Sequence, residues 1–260
     1  MPDGASIAAA SMHADAARVD ILSQNLANLL TPGYKRRVAV GGAEAFSSLV
    51  SHAASSVASK AAEPSPAGMA AAAAGTDFRQ GPLRPTGNPL DLGIEGGAFF
   101  EIVANGVSSY TRQGNFMIDA MGQLIAPGGG SVAGLAGSIR LESAQVRVDR
   151  DGRLFEQDRL VGQLRLVRFE DPRELAPAAN GRYLQGAARI LADGADGAHL
   201  AGVSGSGSAV RQGFLEASNV VAAEEMVRLI QATRHFEAGQ KVIQWYGDMH
   251  ERVLVQLGEF

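Results

Sequence analysis

The acids, histidines, glycines and serines that could carry chemistry in this chain are dispersed, and each local pattern lacks the spacing its chemistry needs. Asp149-Arg150-Asp151-Gly152, followed by Glu156 and Asp158, resembles part of a calcium loop. Such a loop needs oxygen ligands at fixed alternate positions and a bidentate acid at its end, between two helices. Here Arg150 and Arg153 sit inside the run and strand-like segments flank it, so it reads as a turn. Gly128-Gly129-Gly130, with Gly134 and Gly137 beyond, is not followed by the Gly-Lys-Ser/Thr that a phosphate-cradling loop requires, and reads as a connection between strands. His13, His52, His199, His235 and His250 show no metal-type spacing; His235 and His250 are expected on a solvent face or a subunit contact. Ser204 lies in Gly202-Val203-Ser204-Gly205, which breaks the Gly-x-Ser-x-Gly register of a nucleophile elbow. The carboxylates of Glu95 and Glu101 could pair for acid–base hydrolysis, but both lie in a strand pattern. The reading is of a non-enzyme without catalytic residues, cofactor or metal.

Composition points the same way. The 260 residues allow one large or two modest domains, and the net charge of −4 provides no basic field for nucleic acid. There is no cysteine, hence no disulfide or thiolate site. The sequence contains no apolar run of about 18 residues. Met1-Pro2-Asp3-Gly4 lacks the basic start of a secretory signal, so the residues alone suggest a protein that stays inside the cell.

Two amphipathic segments frame the chain. From Gly213 to Phe260, Met226, Ile230 and Thr233, then Leu229, Phe236 and Ile243, then Val242, Tyr246, Met249, Val253, Leu257 and Phe260 recur at helical spacing. Ser218 and Asn219 are suitable N-caps, and Glu224 and Glu225 suit a first turn. About 38 residues at about 1.5 Å each make a rod of roughly 57 Å, too long to bury its stripe alone. At the other end Ile7, Ala10, Ala14, Ala17 and Ile21, with Leu22, Leu26 and Leu29, form one face of a helix over residues 5–29, stopped by Thr31-Pro32-Gly33. The expected fold class is α+β: long N- and C-terminal helices paired as a coiled-coil-like stalk, with a central antiparallel all-β domain.

Between the helices, residues 37–75 are rich in Ala, Ser and Pro and read as a linker, unable to offset its ordering entropy unaided. Residues 76–205 read as short strands separated by turns. Ala104-Asn105-Gly106, Asp119-Ala120-Met121-Gly122 and Asp149-Arg150-Asp151-Gly152 each mark a hairpin. The expected organisation is thus 1–36 N-terminal helix, 37–75 linker, 76–205 β domain and 206–260 C-terminal helix.

Three motifs now carry a resemblance. Ser23-Gln24-Asn25-Leu26-Ala27-Asn28 with Thr31-Pro32-Gly33-Tyr34-Lys35-Arg36 resembles the N-terminal signature of the bacterial flagellar rod and hook proteins. Gly87-Asn88-Pro89-Leu90-Asp91-Leu92, Ile94 to Phe100, and Tyr110 to Phe116 resemble its central motif. Gly213 to Val220, with Glu225-Met226, Ile230, Arg234, Phe236-Glu237 and Lys241-Val242-Ile243, resembles its C-terminal end. Ala98 and Val221 depart from the usual glycine and asparagine. The resemblance implies a structural subunit that leaves uncleaved through the flagellum's own type III export apparatus and polymerises helically in the periplasm-spanning rod, with copies of itself and other rod subunits, to carry torque. It implies subunit contacts at Asn25, Leu26, Asn28, Asn219, Met226, Ile230, Arg234, Phe236 and Ile243, and no small-molecule substrate or nucleic-acid partner. Arg112 and Arg234 are expected as solvated charges or inter-subunit ion pairs. Arg234-His235-Phe236-Glu237 leans towards the proximal-rod FlgF type over the distal-rod FlgG type. Two other readings are a secreted binding or adhesin module on a helical stalk, and a cell-wall hydrolase using Glu95 and Glu101.

Overall fold

A computed structural model describes residues 4–40, 73–143, 145–191 and 208–258, and divides them into two units. Much of the expected 37–75 linker, residues 41–72, lies outside the described residues, as do 192–207 with Ser204.

The first unit contains helix α1 (Gly4–Ala27), helix α2 (Ala222–Gly258) and an antiparallel pair, β1 (Arg37–Val40) with β2 (Ala73–Thr76). α1 ends at Ala27, a little before the expected residue 29, and the chain then turns through residues 28–33, where Pro32 could not have continued the helix. The expected stalk of two long paired helices is not what forms. α1 has 24 residues against 37 in α2, about 36 Å against about 56 Å. The two touch without a coiled-coil seam. Their contacts include two polar pairs, Asn25 with Glu225 and Asp15 with His235, and a close approach of Met12 to Gly239. The physical reason lies in the α1 face. Its alanines let a neighbour come near but provide no large knobs at heptad positions, which a coiled coil requires. Met226, Val227, Ile230, Val242, Trp245 and Met249 of α2 accordingly remain exposed.

The second unit is an antiparallel β body. Its strands, in chain order, are β3 (Leu83–Pro85), β4 (Leu92–Glu95), β5 (Ala98–Ala104), β6 (Val107–Thr111), β7 (Met117–Ile118), β8 (Leu124–Ile125), β9 (Ser131–Gly134) and β10 (Gly137–Ser138). There follow β11 (Arg147–Val148), β12 (Arg153–Glu156), β13 (Arg159–Gln163), β14 (Leu166–Arg168), β15 (Ala176–Pro177), β16 (Arg182–Leu184), β17 (Ala209–Gln212) and β18 (Phe214–Glu216). One sheet runs β15-β16-β6-β5-β9-β8-β7, with β10 beside β9 and β14 beside β5; β11-β12-β13 form a second. The returning chain closes the body by pairing β17 with β4 and β18 with β3.

Each hairpin expected from its turn residues is present. β5 and β6 pair across Asn105-Gly106, both at positive φ (52° and 77°), which is the geometry of a two-residue primed turn. β7 pairs with β8 across Asp119–Gly122, and β11 with β12 across Asp149–Gly152. Successive side chains of β5 enter two different cores, because strand side chains alternate between faces. Phe100 and Ile102 join Leu92, Ile94, Phe116 and Leu164 on one side. Phe99 joins Tyr110, Val167, Phe169, Leu175 and Tyr183 on the other. In the second core the rings meet edge to face, Tyr110 and Phe169 at 4.9 Å and Phe99 and Phe169 at 5.7 Å between centroids.

The tightest approach in this body is at Gly114, where an added Cβ would lie 1.7 Å from the Leu92 carbonyl oxygen. At Gly97 it would meet nothing nearer than the Arg168 Nε at 3.8 Å. Gly114→Ala is expected to cost at least about 1–3 kcal/mol through forced backbone movement, whereas Gly97→Ala stays within about 0.5 kcal/mol. Urea unfolding followed by near-ultraviolet circular dichroism checks both.

Candidate functional site

Three motif segments meet in the β body through their charged residues. Lys35 follows the Thr31-Pro32-Gly33 stop, Arg112 follows β6, and Glu216 ends β18. All three are withdrawn from solvent, with 1%, 3% and 1% of their surface exposed. Lys35 Nζ donates to Glu216 Oε1 at 2.5 Å and to the Arg79 carbonyl at 2.9 Å. Arg112 Nη1 donates to Glu216 Oε2 at 3.2 Å, and Nη2 to the Gly96 carbonyl at 2.6 Å. Glu216 Oε1 also accepts the Gly81 N–H at 2.9 Å. The Arg112 guanidinium lies 4.8 Å from the centroid of Phe99, which links the cluster to the aromatic core.

One carboxylate therefore serves two cations. Burial pushes the Lys35 ammonium below its ordinary value; Glu216 opposes that shift and the nearby Arg112 adds to it. Burial also lowers Arg112, again against the pull of Glu216. Such an arrangement adds little net stability compared with apolar packing, but breaking it leaves an uncompensated buried charge.

The same returning strand grips the backbone on both sides of residues 41–72. The Gly33 N–H donates to the Glu216 carbonyl at 2.7 Å. Asn219 Oδ1 accepts the Arg36 N–H at 2.6 Å, while its Nδ2 donates to the carbonyls of Asp77 (2.8 Å) and Arg79 (3.0 Å). Gly33 is required here: its φ is +66°, and a Cβ would come within 2.5 Å of the Arg112 backbone. α2 begins only at Ala222, so Ser218 and Asn219 lie ahead of it, and the Asn219 side chain is engaged in the body.

In the helical unit Asn25 and Glu225 are both fully buried. Asn25 Nδ2 donates to Glu225 Oε2 at 3.0 Å and to the Arg37 carbonyl at 2.8 Å, and its Oδ1 accepts the Arg37 N–H at 2.8 Å. Glu225 Oε1 accepts from Arg228 at 2.9 Å. Asp15, also buried, bonds the exposed His235.

The remaining residues expected at subunit contacts are dispersed. Leu26 and Asn28 are half-buried, and Asn28 Oδ1 accepts from the Thr31 hydroxyl at 3.1 Å. Met226, Ile230 and Arg234 are exposed on α2; Phe236 and Ile243 are half-buried. Arg112, expected at a surface, is an internal residue of the body. Sequence reasoning missed the partnership of Lys35, Arg112 and Glu216. Each sits inside a recognised motif, which was the available signal, but no local spacing pairs residues so far apart in the chain.

The groups weighed for chemistry have structural employment. Asp149 Oδ1 accepts the N–H groups of Asp151 and Arg153, each at 2.9 Å, and so builds the turn. Glu95 pairs with Arg211 at 3.1 Å, and Glu101 with Arg165 at 2.9 Å. Arg182 holds the glycine loop by donating to the carbonyls of Pro127, at 2.8 Å, and Gly129.

Two measurements follow from this geometry. Asn25→Ala leaves the buried Glu225 and the Arg37 backbone short of partners, and is expected to destabilise the helical unit by about 1–3 kcal/mol. The melting of the 222 nm helix signal reads this. The second concerns alkaline pH. Lys35 has a folded value below its ordinary 10.5, so between those two values the unfolded chain binds a proton the folded chain does not. Its contribution to stability therefore rises with pH through that window and is lost as pH falls to the folded value. Chemical unfolding as a function of pH should show this upward slope in the parent and its loss in Lys35→Met.

Comparison with known proteins places these motifs in one family. Residues 211–257 match the C-terminal model of the flagellar basal body rod FlgEFG proteins, and residues 93–155 match the D1 domain model of the flagellar hook FlgE/F/G proteins. The flagellar basal-body rod protein FlgG of Caulobacter vibrioides is 33% identical, over 91% of this chain and 92% of its own. FlgG of Buchnera aphidicola subsp. Baizongia pistaciae is 31% identical, over 95% and 96%. FlgF of Caulobacter vibrioides is 30% identical over 70% and 71%. With motif-bearing segments tied together inside the fold and full-length relatives of this kind, the chain belongs to the flagellar basal-body rod family, a family of structural proteins rather than enzymes.

Proposed function

We propose that this protein is a structural subunit of the bacterial flagellar rod, exported uncleaved and polymerised helically with copies of itself and close relatives into a torque-carrying, periplasm-spanning shaft. The observation that carries this reading is the outer surface of α2. Met226, Val227, Ile230, Val242, Trp245 and Met249 are all exposed on one helix, and Trp245 shows 78% of its surface. Large apolar groups concentrated in this way mark an interaction surface. Met226, Ile230 and Arg234 are the outward contacts; Leu26, Asn28, Phe236 and Ile243 lie at its partly covered margin. Asn25 and Asn219 act within the subunit, Asn25 on Glu225 and Arg37 in the helical unit and Asn219 on Arg36, Asp77 and Arg79 in the β body. Contacts of this type that do not close on themselves generate a filament.

Two observations bear on the place in the rod. The Arg234-His235-Phe236-Glu237 run leans to the proximal FlgF type. The similarity to the FlgG chains of Buchnera aphidicola and Caulobacter vibrioides extends over more than nine-tenths of the sequence, whereas that to the FlgF relative covers 70%. We favour the distal, FlgG-like position because the second observation draws on many more residues.

Ile230→Asp and Trp245→Asp test the subunit role directly. Both positions are exposed, so the purified variants should melt within about 0.5 kcal/mol of the parent. Loss of an apolar anchor costs an interface about 2 kcal/mol, roughly thirtyfold in affinity. Isolated basal bodies should therefore lack complete rods and cells should not swim. Swimming cells with intact rods built from the doubly substituted protein would refute the proposal.

A further inference from the structure

We propose that Glu216 is a charge-gated clasp: the buried cations Lys35 and Arg112 keep residues 33–36 and 77–81 from closing on the β body until Glu216, in the last segment of the body, is in place. The clasp is made by residues of the β body alone, whatever the role of α2.

Lys35 and Arg112 are both buried, and the carboxylate that bonds them both is Glu216. Asp77, the other acid whose field reaches Lys35, is committed to Arg79, whose Nε and Nη2 both bond Asp77 Oδ2, at 2.8 and 2.6 Å. Without Glu216, closing the body would bury two cations with no bonded counter-charge among the described residues, a penalty large enough to expel at least one of them. Lys35 is the one free to leave. Its other bond is to the Arg79 carbonyl, and it sits on a short stretch between α1 and β1. Arg112 is fastened between β6 and β7, packed on Phe99 and bonded to Gly96.

The order of the chain turns this into a device. Lys35, Gly81 and Arg112 all precede Glu216, so in synthesis every partner is present before the carboxylate arrives. Glu216 then fastens four groups together: the Lys35 ammonium, the Arg112 guanidinium, the Gly81 N–H through its side chain, and the Gly33 N–H through its carbonyl. Asn219, one turn of chain later, adds the Arg36 N–H and the Asp77 and Arg79 carbonyls. Residues 33–36 and 77–81 are therefore held by β18 and the segment that follows it. Apolar burial would close them with any greasy residue at position 216; the two cations make closure conditional on an anion.

Hydrogen exchange with mass-spectrometric readout on the full-length protein tests this, using three chains: the parent, Glu216→Gln, and the triple variant Lys35→Met/Arg112→Met/Glu216→Leu. Gln keeps the shape but removes the charge and turns an amide NH2 towards a cation. In Glu216→Gln, amides of residues 33–36 and 79–81 should exchange about a hundredfold faster or more, while those of β5, β6 and β9 change by less than about threefold. The triple variant, which has no charge to gate, should regain parent-like protection at 33–36 and 79–81. Unchanged protection there in Glu216→Gln, acceleration spread evenly over β5, β6 and β9, or a triple variant as open as Glu216→Gln would each overturn the clasp.

Discussion

The β body depends on one carboxylate shared by two buried cations. Glu216 lies where β18 ends, and it meets Lys35 and Arg112 from segments that are distant in the chain. A cluster of two positive charges and one negative is a poor way to gain stability in a low-dielectric interior, since each ion loses its hydration. Its effect is on which arrangement is allowed. A strand register or loop path that moved Glu216 away would part both cations from the carboxylate that bonds them, so such an arrangement is penalised. Burial lowers the Lys35 ammonium from its ordinary value against the pull of Glu216, and the hydrogen bonds of Gly33, Gly81 and Asn219 gather around the same point.

Around this point the sheets obey ordinary strand physics. β5 supplies Phe99 and Phe100 to opposite faces, so the central sheet is covered on both sides and the strand is buried almost throughout. Short strands and two-residue or Asp-Gly turns leave little freedom of register once those rings are placed. The cation of Arg112 reaches the aromatic core through Phe99, which couples the charged cluster to the packing beside it. The helical unit relies on a different economy. α1 has an alanine face that lets α2 come close, and the polar pairs Asn25–Glu225 and Asp15–His235 add direction to the contact. It lacks the bulky seam that would have let it run as a coiled coil along all of α2, and so α2 keeps its apolar outer surface.

Much of the fold was legible from residue types. Asn105-Gly106 can adopt positive φ in succession, so a tight hairpin there follows from local sterics, and in Asp149-Arg150-Asp151-Gly152 the turn is built by the Asp149 side chain with Gly152 at positive φ. Thr31-Pro32-Gly33 had to end a helix. The periodic run beyond residue 221 had to be helical and long. These statements concern neighbours within a few positions, where backbone preference and side-chain period decide. Reading the N-terminal helix as half of a long stalk failed for the same reason: periodicity shows which face is apolar, but whether that face can sustain a partner depends on the volume of its side chains, and alanine supplies little.

Residue types and their spacing were enough to mark the turns, the two amphipathic helices and the kinship written in three motifs. What the charges inside those motifs do emerged only once distant segments were folded together. Arg112 looked like a surface residue because a lone arginine after a strand usually is one, and Asn219 looked like a helix cap because it precedes a helix. Both were claimed instead by groups far away in the chain, at Glu216, Arg36 and Asp77. Local preferences act through bonds only a few residues long and are weak, whereas a buried charge must find its counter-charge wherever the fold brings one, because an unpaired ion in the interior costs more than any turn or cap can return.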